Sequence, residues 1–64
     1  MNEQVMLTEF RVTMDQGIQV VKTRQEAEAK WRDHFTISDA GFIEVWEIAM
    51  DGTNWATLLW YFNP

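Results

Sequence analysis

The chain contains no cysteine, so neither a disulfide nor a thiolate zinc site can brace it. Small secreted domains commonly depend on such braces, and their absence points to an intracellular, cytoplasmic setting. There is one proline and there are three glycines, too few for a flexible or low-complexity segment. No apolar run approaches the roughly 20 residues of a membrane span, and no basic-then-apolar signal segment opens the chain. Lysine and arginine are missing from residues 33–64, where Asp33, Asp39, Glu44, Glu47 and Asp51 stand without a basic residue. The five acids of residues 1–32 are matched by five bases, so the net charge of −5 resides in the second half. Phosphate backbones and anionic membranes attract clustered basic side chains, so nucleic-acid and membrane partners are disfavoured. A protein partner with a basic surface is electrostatically acceptable.

What the second half has in abundance is aromatic surface. Of the nine aromatic residues, seven lie in 35–62. The stretch reads FIEVWEIAM, then DGTN, then WATLLWYF: two apolar segments separated by a turn signal, the pattern of a β-hairpin. A four-residue loop over 51–54 places Met50 opposite Trp55, Ile48 opposite Thr57, Trp46 opposite Leu59 and Glu44 opposite Tyr61. Simple alternation then puts Ile43, Val45, Glu47, Ala49, Ala56, Leu58, Trp60 and Phe62 on the other face. Both faces are mainly apolar.

The first half predicts a second hairpin and a helix. Residues 5–14 alternate as a half-buried strand, and Asp15-Gln16-Gly17 suits a three-residue loop with Gly17 in a left-handed conformation. That loop pairs Met14 with Ile18, Val12 with Val20 and Phe10 with Lys22. Thr23 and Glu26 then match a capping box, in which the Thr hydroxyl and the Glu carboxylate satisfy orphan amides reciprocally. The following RQEAEAKWRDHF is built of good helix formers. Ala27, Trp31 and Phe35 form a narrow apolar stripe with His34 at its margin, and Arg24, Glu28 and Arg32 share another face. Asp39-Ala40-Gly41 ends the pattern.

The expected architecture is a single α+β domain over 1–64. It is a hairpin-helix-hairpin (ββαββ) whose four-stranded antiparallel sheet carries one helix on one face. An antiparallel sheet requires strand order 2-1-3-4 or 1-2-4-3. At 64 residues such a domain buries only about 60% of its unfolded surface.

No reaction is legible. His34 has no second His or Cys to share a metal with, and it reads as a solvated or helix-terminal histidine. Ser38 has no evident partner base, and no glycine belongs to a phosphate-cradling loop. The expectation is therefore a protein that is not an enzyme and holds no cofactor or metal. A ligand pocket between helix and sheet, near Trp31, is the enzyme-like alternative. One helix covers one sheet face, and large apolar patches left in solvent usually mark contact sites. The expected partner-binding residues are Glu44, Trp46, Glu47, Trp55, Trp60 and Phe62. The two glutamates read first as residues near a strand end or blunting an exposed edge, and alternatively as anchors for basic side chains. Such a module could inhibit or assist a larger enzyme, or associate with itself as a homodimer. In size and charge alone it resembles compact acidic phage-encoded regulators.

Overall fold

The computed structural model describes residues 7–37 and 39–64. Its elements are β1 (Thr8–Met14), β2 (Gly17–Val21), α1 (Arg24–His34), β3 (Ile43–Ala49) and β4 (Ala56–Phe62). They form one antiparallel four-stranded sheet of order β2-β1-β3-β4 with the helix packed on it, the α+β architecture expected. Val5 and Met6, assigned above to the first strand, lie outside the described residues, as does Ser38.

The central strands bring their apolar helix-side residues together at one end of the sheet, with Thr8 and Glu47 farther along the same face. Phe10, Val12 and Met14 of β1 share a face with Ile43 and Val45 of β3. Val12, Ile43, Val45 and Ala27 are fully buried and Phe10 nearly so, with Met14, Val21, Trp31, Leu59 and Trp60 packed around them. The helix supplies Ala27, a residue small enough to let its axis approach the sheet.

Both ends of α1 are tied down. Thr23 Oγ1 accepts from the Glu26 amide at 3.1 Å, and the Glu26 carboxylate accepts from the Thr23 amide at 3.3 Å, so the capping box is present. Arg32 and Glu28 form the i,i+4 ion pair at 2.7 Å, too exposed to add more than a few tenths of a kcal/mol. At the other end His34 is the last helical residue, but it is buried rather than solvated. Its Nε2 lies 2.8 Å from the Gly41 carbonyl. A carbonyl can only accept, so Nε2 carries the proton, and the bond fastens the helix C-terminus to the approach to β3.

Two strand registers differ from the sequence expectation. The first hairpin turns through Asp15-Gln16 alone, and Met14 pairs with Gly17, Val12 with Gln19 and Phe10 with Val21. This one-residue slip turns Ile18 and Val20 to the face away from the helix. Because β2 is an edge strand, its pattern holds the register weakly. Gly17, at φ +139°, adopts a conformation L side chains rarely reach and sits directly after the turn. In the second hairpin the expected Glu44–Tyr61 pair forms, but a β-bulge follows it. Val45 pairs with Trp60 and Trp46 with Leu58, which leaves Leu59 as the extra residue. A bulge places two consecutive side chains on one face. Leu59 and Trp60 therefore both point to the helix side, and Leu58 moves to the face of Trp46.

Candidate interaction surface

The helix packs on β1, β2 and β3. Side chains from its last turns reach over β4: Phe35 meets Phe62 edge-on at 5.3 Å, and Trp31 stands 6.2 Å from Trp60. Trp31 and Phe35 are themselves T-shaped at 4.7 Å, and the Arg24 guanidinium lies 5.3 Å from the centre of the Trp60 ring. This aromatic string closes the helix side along the rim of the core.

Nothing among the described residues covers the opposite face. From the strand pairing its rows run Ile18–Thr13–Glu44–Tyr61, then Val20–Arg11–Trp46–Leu58, then Glu9–Ile48–Ala56. Tyr61 is 64% exposed, Ile18 61%, Val20 51% and Leu58 38%, while Trp46 and Ile48 are half-buried by their neighbours. The polar members are fixed among themselves. Trp46 Nε1 donates to Glu44 Oε1 at 3.0 Å, and Arg11 Nε lies 3.4 Å from Glu9 Oε2. Glu44 is thus held with one carboxylate oxygen engaged by the indole, which leaves its remaining lone pairs to accept a cationic donor.

The six residues expected to bind a partner do not form one patch. Glu44 and Trp46 are neighbours on the open face. Glu47 lies on the helix side, opposite Phe10 and Thr57. Trp60 packs into the aromatic string and onto the core, and Phe62, although 37% exposed, rests against Phe35. Trp55 precedes β4 at the distal turn, where its carbonyl accepts from the Ala49 amide. Sequence reasoning missed Ile18, Val20, Leu58 and Tyr61. The first two were misplaced by the hairpin slip and Leu58 by the bulge, while Tyr61 had its face assigned but was not counted among the candidates.

At the distal turn the Asp51 carboxylate accepts from the Thr53 hydroxyl at 2.7 Å and the Thr53 amide at 3.1 Å. The hydroxyl bond first, and the amide bond second, hold its pKa below the ordinary 3.8. A shallow groove of about 410 Å³ runs along Gln25, Glu28, Ala29, Arg32 and Asp33. These lie on the solvent side of α1, away from the helix–sheet contact where Trp31 packs. No helix among the described residues is long and apolar enough to cross a membrane. No protein-family model, curated protein or solved structure matches the chain at a significant level.

Proposed function

We propose that this chain is a non-catalytic, cytoplasmic protein-interaction module whose open sheet face docks on a basic surface of a larger protein, acting as an inhibitor or accessory factor. The observation that carries the reading is the uncovered apolar face centred on Trp46, with Ile18, Val20, Leu58 and Tyr61 around it and Glu44 beside it. Interface cores favour aromatic and aliphatic anchors of this kind, with charged groups at the rim for orientation. The net charge of −5 makes a basic partner the favourable one and accelerates its capture at low salt.

The test compares the native chain with a Trp46→Ser/Leu58→Ser variant, each immobilised and exposed to extract of the source cells. Proteins retained by the first and not the second are then purified and remixed with both. The reading expects a basic protein that rebinds the native chain stoichiometrically, with an association rate that falls as ionic strength rises. Equal retention by both chains, or a rate indifferent to salt, would overturn it. So would a homodimer in which the open faces bury one another, because no surface would remain to dock.

A further inference from the structure

The outer edge of β4 carries a pattern that matches itself. Met50 N donates to Leu7 O and Ala49 N donates to Trp55 O. Even-numbered residues of β3 therefore bond β1, and odd-numbered residues bond β4. The β4 residues facing the even positions are Ala56, Leu58 and Tyr61. Their N–H and C=O groups turn away from β3, toward the outer edge of the sheet, which is free among the described residues. These same residues present their side chains on the open face, and all three are exposed.

The bulge makes this edge symmetric. Thr57, Leu59, Trp60 and Phe62 lie on the helix side, and Ala56, Leu58 and Tyr61 on the open side, so the order of faces reads the same in both directions about the midpoint of Leu59 and Trp60. Strands that pair antiparallel must match face to face, and an unbulged strand could do so only about a residue, not between two. The strand has no charged side chain across its seven residues. Charge on an edge is the common device against self-pairing, and it is missing here. The opposite edge, β2, is shorter and is followed at once by Lys22.

We propose that two copies of this chain pair antiparallel through β4, with the two-fold axis between Leu59 and Trp60, into one continuous eight-stranded sheet. Leu58 then forms a hydrogen-bonded pair with Tyr61 of the second copy, and Thr57 stands opposite that copy's Phe62. The acids do not meet across the seam: the row ending in Glu44–Tyr61 continues into the second copy's Leu58, Trp46 and Arg11. An isologous contact of this kind closes as a dimer, whereas β2 joined to β4 would propagate as a filament. A seam one strand wide falls at the small end of specific interfaces, below about 1,200 Å² in total, so the dimer dissociates on dilution. Edge pairing leaves both open faces free, side by side, and stands or falls independently of the docking reading above.

Sedimentation of the native chain over a dilution series is expected to show a monomer–dimer equilibrium. Tyr61→Pro removes an amide that faces the free edge and none that bonds β3, a place where proline is tolerated. It is expected to stay monomeric at every concentration while keeping its far-UV spectrum. Because the chain has no cysteine of its own, the register is read separately by crosslinking Leu58→Cys mixed with Tyr61→Cys. Facing Cα atoms in such a pair lie about 5.5 Å apart, within disulfide range. A residue and its own copy are offset by three positions, roughly 10 Å. The mixture should form a mixed disulfide readily, and neither variant alone should. A native chain that is monomeric throughout overturns the proposal, as does crosslinking of either variant to itself as fast as in the mixture. Should Tyr61→Pro fail to fold, the crosslinking pattern decides alone.

Discussion

Asp51 stands at the start of the distal turn, where its carboxylate collects two donors from Thr53. Both bonds favour the charged form, so its folded pKa lies below the ordinary 3.8. The linked stability is present above the unfolded value and is lost as pH falls through the folded one. Carboxyl chemical shifts followed through an acid titration should give Asp51 a midpoint below 3.8. Thr53→Val, which deletes the hydroxyl donor, should bring it back toward that value. A midpoint unmoved by the substitution would mean that the hydroxyl does not set it. A side chain-to-backbone bond two residues away is readable in sequence, because Asp and Thr make such turns locally. His34 shows the opposite case. Its place at the helix end was legible from the helix pattern. Its burial was not, because the Gly41 carbonyl comes from the far side of a loop.

Elements were legible where local chemistry and periodicity agree. The capping box fixed the start of α1, and the two apolar runs about a turn signal gave the second hairpin. What could not be read is the count of residues at a turn or a bulge, and one residue changes the face of every side chain beyond it. Gly17 fits the end of a two-residue turn as well as the end of a three-residue loop, and β2 carries apolar side chains on both alternations: Ile18 and Val20 on one, Val21 on the other. The structure places Val20 51% exposed and Val21 against the core. Val20→Thr should then change stability by less than about 0.5 kcal/mol, as surface substitutions do. Val21→Thr should cost about 1 kcal/mol or more, since it turns a methyl into a hydroxyl facing the core. Urea unfolding of the two variants separates the registers, and the reverse ranking would restore the three-residue loop.

On the scale of the whole molecule, five hydrophobic side chains are buried among the described residues, a small core for a domain whose total stability is of order 3–10 kcal/mol at this length. Much of what holds the sheet to its helix is therefore partly exposed aromatic contact, and this gives the tryptophans different duties that composition alone cannot distinguish. Trp60 joins the core, Trp31 and the Arg24 guanidinium. Trp46, on the other face, touches no part of the helix–sheet core and is held by Glu44. Complete burial makes Trp→Ala cost about 3–5 kcal/mol, and a half-buried ring that packs against the buried core, as Trp60 does and Trp46 does not, roughly half of that. Trp60→Ala should therefore remove about 2 kcal/mol, a large share of the total, and lower the Tm steeply. Trp46→Ala forfeits mainly contacts with neighbours on a solvent-facing surface and should leave the Tm much nearer the native value. Thermal unfolding monitored at concentrations where the chain is monomeric keeps self-association out of the comparison. If Trp46→Ala proves the more damaging, the sheet keeps its structural weight on the face assigned here to a partner. The docking surface would then lose its physical basis, because a side chain that the monomer needs for folding is not one left over for binding.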